Sequence, residues 1–313
     1  FINGRIEKID FDYEKKDQIE IIDKSETINK FNNNNSLSDL NNAFTNKSFK
    51  ILVKNGYQLV KPLIIYHITN SDIWSKNINL RLDFELGKDS SLRLIDLYND
   101  TSEKNFLNIF YNFDLKENAV LKNYKVDKLE NKNIKYSFNN IEQDKNSISE
   151  TFILSSGSNF FKNEINCNLK GGYSSAFVNG ILSLNNDKHH EIRTIINHLT
   201  ENTKSYQLIK SVLDDNSKSV YQGKIFVNSE AQKTDGYQLS KAILLNKDSE
   251  FNAKPELEIY ADDVKCSHGS ASGSLSEDSI FYLMSRGLNY QQSRELLING
   301  FLLDVVEKIT DSE

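Results

Sequence analysis

Between Phe49 and Val264 the chain consists of short segments in which apolar and polar residues alternate, and this constrains its fold more than any other feature. Phe49–Val53, Leu80–Leu86, Ser91–Leu97, Phe106–Leu115, Val120–Val126 and Lys135–Phe138 follow the pattern. So do Ser149–Leu154, Ala176–Leu184, Glu191–Leu199, Tyr206–Leu213, Ser219–Val227 and Ala242–Leu245. Successive side chains of a strand point to opposite faces, so a period of two marks strands with one buried face. No helically spaced stretch of ten or more residues interrupts them, and the chain holds only two prolines, Pro62 and Pro255. A loose repeat joins the strands. Leu86–Leu92, Leu115–Leu121 and Leu245–Phe251 each run from an apolar residue through a polar turn to another apolar one, and Ile141–Ile148 and Leu213–Val220 are versions one residue longer. Clear neighbours start roughly 26 to 32 residues apart, the spacing of solenoid rungs that bury their apolar faces only by stacking. The pattern favours a β-helix and leaves open an antiparallel sandwich with similar loops.

The flanks differ. Residues 1–48 are polar, with a strand expected over Gln18–Ile22, an Asn run at Asn32–Asn35 that reads as a linker, and a short helix from Ser36 to Phe44. Ser36 is the expected N-cap, and Leu37, Leu40 and Phe44 stand at helical spacing. The β region fills residues 49–273, and residues 274–313 are helical. Ser276 caps a first helix with Glu277 and Asp278 in its opening turn and Ile280, Phe281, Leu283 and Met284 as its apolar face. Gly287 ends it. Asn289 caps a second helix carrying Leu297, Ile298, Phe301, Leu302, Val305 and Ile309 on one side, widened by Leu296, Leu303 and Val306. So broad an apolar surface either caps the chain's own solenoid or receives a partner protein.

A formal net charge of −6 argues against nucleic acid or an anionic membrane surface as partner. No apolar run approaches the roughly 20 residues that span a bilayer. Two distant cysteines, Cys167 and Cys266, are not a disulfide framework and suit a reducing, cytoplasmic setting. The chain starts at Phe1 without Met or signal pattern, so it reads as a fragment, and an organelle version would have carried a transit peptide ahead of it.

Chemistry gathers in Leu257–Gly269, where Asp262, Asp263, Cys266 and His268 fall within seven residues. Cys266 and His268 are two apart and share a face if the segment is a strand. Thiolate and imidazole suit zinc, copper(I) or iron–sulfur species. Two ligands do not complete a tetrahedral site, so the pair is either part of a metal or cluster contact or a structural thiol beside a histidine at a turn. The adjacent aspartates would face opposite ways and make a poor catalytic dyad; one is expected to cap a turn. Cys167, in alternating Ile165–Leu169, reads as a core or surface thiol. His189 and His190 read as a solvated pair, with His198 nearby, and His67 has no evident partner. Ala231–Gln238 is dense in hydrogen-bonding side chains and either orders a loop or lines a groove. There is no phosphate-binding loop, dinucleotide fingerprint, nucleophile elbow or H-E-x-x-H.

Lys254–Gly269, KPELEIYADDVKCSHG, and Phe281–Gly287, FYLMSRG, closely resemble signatures of the SufB/SufD family of iron–sulfur cluster assembly proteins. Lys233-Thr-Asp-Gly236 and Val220–Lys224 resemble two further family elements. The match is strong over about residues 190–305 and weak but colinear before that. The segment ending Cys266-Ser-His268-Gly resembles the SufD branch. The cysteine that SufB-type chains use in their last rungs has no counterpart, since no Cys lies between Cys167 and Cys266. The resemblance implies a right-handed parallel β-helix with a C-terminal helical segment and a non-catalytic scaffold role. It implies pairing with SufB through the β-helix and docking of SufC, an ABC-type ATPase, on the C-terminal helices through Phe281, Tyr282, Leu283 and Arg286. It further implies that His268, assisted by Cys266, meets iron or a nascent iron–sulfur cluster at the SufB interface, and that the assembled complex can carry reduced flavin. The family's usual N-terminal helical region is largely lacking in this sequence. Two alternatives stand beside it: a stand-alone homodimeric scaffold of the same family, and, more remote, a β-helix carbohydrate-active enzyme.

Overall fold

A computed structural model describes residues 1–10, 15, 17–24, 35–45, 47–70 and 72–309. The linker expected at Asn32–Asn34 lies outside these residues; Asn35 lies inside them. In chain order the described elements are β1 (Ile19–Asp23), α1 (Ser36–Phe44), β2 (Ser48–Val53), β3 (Leu63–Thr69), β4 (Asn77–Leu86), β5 (Ser91–Asp100) and β6 (Phe106–Leu115). Then follow β7 (Val120–Asp127), β8 (Asn131–Gln143), β9 (Ile148–Ser155), β10 (Ser158–Leu169), β11 (Ser175–Leu184) and β12 (His189–His198). The chain continues with β13 (Lys204–Leu213), β14 (Lys218–Val227), β15 (Thr234–Leu244), β16 (Glu250–Ile259) and β17 (Val264–Gly273), and ends in α2 (Glu277–Ser285) and α3 (Tyr290–Val306).

From β2 onward consecutive strands alternate between two sheets. The even strands, headed by β1, form one, in the order β1-β2-β4-β6-β8-β10-β12-β14-β16, and the odd strands from β3 to β17 form the other. Every pairing is parallel except β1 with β2. The result is a parallel β-solenoid of about eight turns, which removes the sandwich alternative. Neighbouring rungs are offset by as few as 26 residues, where Asn139 lies beside Ile165, and as many as 33, where Ser48 lies beside Arg81. The loose repeat is the turn between sheets, although its members fall on both edges: Leu86–Leu92 leads from β4 to β5, whereas Leu245–Phe251 leads from β15 to β16. Asp89, Asn118 and Asn146 hold positive φ at three of these turns and join in a ladder, Asn118 donating to Asp89 and Asn146 to Asn118. Asn and Asp tolerate this left-handed conformation better than other side chains.

Inward positions stack in columns. Phe84, Phe113, Ile141, Cys167, Ile196, Ile225 and Leu257 occupy one register position through seven rungs. Phe84 and Phe113 stack with ring centroids 4.9 Å apart. Cys167 is thus a core thiol, donating to Gln143 Oε1 at 3.1 Å, and burial pushes its pKa well up.

Much of the interior is polar, and here the structure departs from three sequence expectations. His67 is buried with its Nε2 2.7 Å from Asp96 Oδ1 and 3.0 Å from Tyr111 Oη. Asp96 also takes Lys125 Nζ at 2.8 Å, and Lys125 stands one rung above it in the same column. Burial alone would push Asp96 up, but Lys125 and His67 hold its pKa well below the carboxylate range. His189 and His190 are no solvated pair: His189 meets Glu191 at 3.1 Å, while His190 is wholly buried between Ser155 Oγ and the Ser158 carbonyl. His198 is buried likewise, bonded to Thr203 and Ser205. A histidine that faces inward on an alternating strand carries the same sequence signature whether its interior neighbours are polar or apolar.

Helix α1 also departs from expectation. Asn35, not Ser36, is its N-cap, accepting from the Leu37 N–H. The helix buries Ser38 and Asn41 rather than Phe44, because Asn41 Nδ2 reaches the Asn108 carbonyl of β6 at 2.9 Å.

Burial lowers both His190 and His198 to about 4. An unfolded histidine titrates near 6.5. Between roughly pH 6.5 and 4 the unfolded chain therefore binds more protons, and stability falls as pH falls through that window. The urea midpoint should drop between about pH 7.5 and pH 5, and His198→Asn should remove roughly half of the drop. An equal midpoint at the two pH values would show that these histidines are not held neutral.

Candidate metal or cluster half-site at the open end of the solenoid

The last rung is made by β16 and β17, each hydrogen-bonded on one side only: β16 to β14 and β17 to β15. The 16–17 connection contains Asp262 and Asp263. Both are exposed, and the turn is fixed by the backbone: Asp263 N–H donates to Gln232 Oε1 and its carbonyl accepts from Lys233 N–H. Pro255 stands in the outermost strand β16, where a missing N–H is tolerated.

On β17 the inward positions are Cys266, His268, Ser270 and Ser272, which lie over Gly236, Gln238, Ser240 and Ala242 of β15. Cys266 and His268 therefore share one face, turned toward the solenoid axis, and among the described residues no further rung covers them. The two side chains differ in accessibility. His268 is exposed, whereas Cys266 is half-buried and packs in a small cluster with Ile225, Val227, Ala231 and Ala261. Burial raises the Cys266 pKa, the Gly236 backbone lowering it by less and Asp235 adding to the rise. The thiol is thus protonated at neutral pH, and binding metal there would release a proton. Room for it comes from Gly236: a methyl group at that position would lie 3.3 Å from Cys266 Sγ and from Ile225 Cγ2.

Beneath His268 the floor is polar. Its register column continues through Gln238 and Gln207 to Val178 and Thr151. Tyr221 Oη donates to Gln207 Oε1 at 3.1 Å and lies 3.3 Å from Gln238 Oε1. Thr194 Oγ1 also donates to Gln207, and Gln238 Nε2 donates to the Glu256 carbonyl. Gly223 makes this possible, since a methyl group there would fall 2.1 Å from Gln238 Oε1 and 2.3 Å from Tyr221 Oη. The polar stretch Ala231–Gln238 thus supplies a turn, the first half of β15 and the floor of the site. Its sequence signal is the run Gly236-x-Gln-x-Ser-x-Ala242, in phase with Cys266-x-His-x-Ser-x-Ser272 thirty residues on.

Among the described residues no three His, Cys, Asp or Glu side chains converge on one metal position. Cys266 and His268 are two donors facing the open end, where a second molecule would have to supply the others.

The helical hairpin lies elsewhere. Helix α3 packs its Val305 and Leu302 on Ile181 and Leu208, on the outer face of β11 and β13, rather than capping the end of the solenoid. Lys210 Nζ bonds the Phe301 carbonyl at 2.5 Å and Asp304 at 2.6 Å, and Arg294 meets Asp214 at 2.8 Å. The capping expectations hold: Ser276 caps α2, Asn289 caps α3 in a reciprocal box with Gln292, and Gly287 turns the chain at φ 100°. Of the expected face of α2 only Ile280 is buried. Phe281 is 74% exposed, and Tyr282, Met284, Leu296, Leu303 and Val306 are exposed as well. Leu283 is partly buried, and Arg286 lies over the Tyr282 ring.

Residues 67–301 match the family described as SUF system FeS cluster assembly, SufBD core domain. The chain is 29% identical over 268 residues to the iron–sulfur cluster assembly protein SufD of Escherichia coli K12, covering 83% of this chain and 62% of that protein. It is 46% identical over 70 residues to the chloroplastic protein ABCI7 of Arabidopsis thaliana, and 47% identical over 66 residues to a SufBD family protein of Synechocystis. These cover 22% and 21% of this chain and 15% of each relative. The chain spans less than two thirds of the length of each of these relatives.

The two thiols should react differently. In the native protein Ellman's reagent should modify Cys266 slowly and Cys167 only after denaturation, with peptide mapping locating the label. Native labelling of Cys167 would contradict its place in the core column.

Proposed function

The chain belongs to the SufBD family of SUF-system iron–sulfur cluster assembly proteins, and we propose that it serves there as a SufD-type, non-catalytic scaffold that supplies half of a cluster site. One observation carries the reading: His268 and Cys266 are paired on a strand that ends the solenoid with its outer edge unpaired. A strand edge is a template for another chain. A SufB-type partner would add strands there and bring the remaining ligands to iron or a nascent cluster, which is the cargo of the assembly. His268 makes first contact, because its imidazole is exposed and needs no rearrangement to coordinate. Cys266 follows, since its protonated thiol must leave an apolar cluster and lose its proton. The nucleotide chemistry lies with a SufC-type ATPase. The exposed patch of Phe281, Tyr282 and Met284, with Arg286 beside it, supports a docking place for it on the side of the solenoid, where Lys210–Asp304 and Arg294–Asp214 tie the hairpin to β13 and the turn after it. For the reduced flavin of the complex no residue of this chain is assigned.

His268→Ala should copurify with the SufB-type and SufC-type partners in unchanged proportion, while iron and sulfide in the reconstituted complex fall about tenfold or more. Full cluster content in that variant would remove His268 from the site. Phe281→Asp should weaken capture of the ATPase and leave the circular dichroism spectrum unchanged, because the side chain is exposed. Size-exclusion of the chain alone separates this reading from a stand-alone homodimer, whose cluster content would need no partner.

A further inference from the structure

Beneath the early rungs two aspartates converge on one lysine where the sheets meet. Lys135 lies near the start of β8, Asp100 ends β5 and Asp127 ends β7. All three side chains are at most 1% exposed. Lys135 Nζ lies 2.6 Å from Asp100 Oδ2 and 2.7 Å from Asp127 Oδ1, with the Tyr98 ring 4.6 Å from it. The two carboxylates are held differently. Asp127 accepts a hydrogen bond from Lys135 on one oxygen and from the Ser158 N–H on the other. Asp100 Oδ1 accepts from Thr69 Oγ1 at 2.7 Å, yet Asp100 Oδ2 accepts no hydrogen bond although the ammonium is beside it. The lysine therefore meets Asp127 at hydrogen-bonding angles and Asp100 outside them.

We propose that this triad closes a covalent amide between Lys135 Nζ and Asp100 Cγ, with Asp127 passing the proton. Asp127 takes one proton from the ammonium and leaves a neutral amine. Asp127 passes that proton to Asp100 Oδ2, and the amine lone pair attacks Cγ of the carboxyl so neutralised, since a carboxylate anion is not an electrophile. The Thr69 hydroxyl, already on Oδ1, stabilises the charge that grows there. Oδ2 departs as water with two protons that began on Nζ, one delivered by Asp127 and one lost from the nitrogen as the C–O bond breaks. Nζ keeps one proton as the amide N–H, and Asp127 returns to its starting carboxylate. The net change is ammonium plus carboxylate to amide plus water, with no oxidant or reductant. Although burial pushes Asp127 up, Lys135 holds its pKa below the usual range, so it starts ionised and holds the proton taken from the ammonium only in passing. Exclusion of water favours the amide over its hydrolysis. Lys125 and Asp96 are as deeply buried, but Lys125 meets Asp96 at hydrogen-bonding angles, and among the described residues no second carboxylate forms an ion pair with Lys125, so that pair stays ionic. The new bond would tie the two sheets together across the lumen and shorten the unfolded chain's free loop as a disulfide does, without sensitivity to reductant.

Intact-mass spectrometry of the denatured full chain tests this. The wild type should be lighter than its sequence by one water, and tandem spectra of a digest should contain a branched peptide joining residues 100 and 135. Lys135→Arg and Asp127→Ala should run at their full sequence masses. A wild type at full mass overturns the bond, as does a water loss confined to a linear peptide, the mark of a succinimide. Water loss that persists in Asp127→Ala overturns the role given to Asp127. The wild-type measurement stands whether or not either variant folds.

Discussion

A parallel strand satisfies its backbone groups only through the rung before it and the rung after it. Everything else in this molecule follows from where that chain of pairings stops. At the first end it is closed off: β1 turns back antiparallel on β2, and residues near the N-terminus bridge Ile2 to Ile68 of β3. At the last end nothing of the kind occurs among the described residues. Strands β16 and β17 each present a free ladder, and the inward positions of β17 hold the thiol and imidazole. In a stacked core an inward side chain is covered by the next rung, so only the terminal rung can offer one to a second molecule.

Register columns also govern the interior. Each inward residue sits one rung above a residue of the same facing, so a polar group can be satisfied by its column neighbour or from the opposite sheet. The early rungs use charge in this way, with Asp96 beneath Lys125 and Lys135 between two aspartates. A buried ion pair is weak evidence for stability, since desolvation offsets much of the attraction, but breaking one strands a charge. The rungs near the open end use neutral groups instead: Thr194, Gln207, Tyr221 and Gln238. The floor beneath His268 is thus polar but uncharged.

The helical hairpin obeys a separate logic. A helix buries one stripe, and α3 uses Val305 and Leu302 for the sheet, anchored by two ion pairs at its flanks. Of the apolar face of α2 only Ile280 is buried, and Phe281, Tyr282 and Met284 stay exposed. Their exposure leaves an apolar surface on the side of the solenoid, away from the open rung.

The sequence by itself determined most of the strands, though not β3, β16 or β17, together with the rung spacing, the helix caps at Ser276 and Asn289, and the stretch that holds the candidate site, because these depend on residues a few positions apart. It also paired Cys266 with His268, since alternate residues of a strand must share a face. Three things were decided only by tertiary structure. His190 read as solvated and His67 as without an evident partner because these histidines, like His198, take their partners from outside their own strand, as many as 44 residues away for His67 and Tyr111. Strand β15 was legible only at its end, because Gly236, Gln238 and Ser240 face inward as polar or small residues and erase the apolar alternation. And whether Cys266 and His268 were covered or open depended on their strand being the last in its sheet, a property of the whole stack that no local pattern encodes.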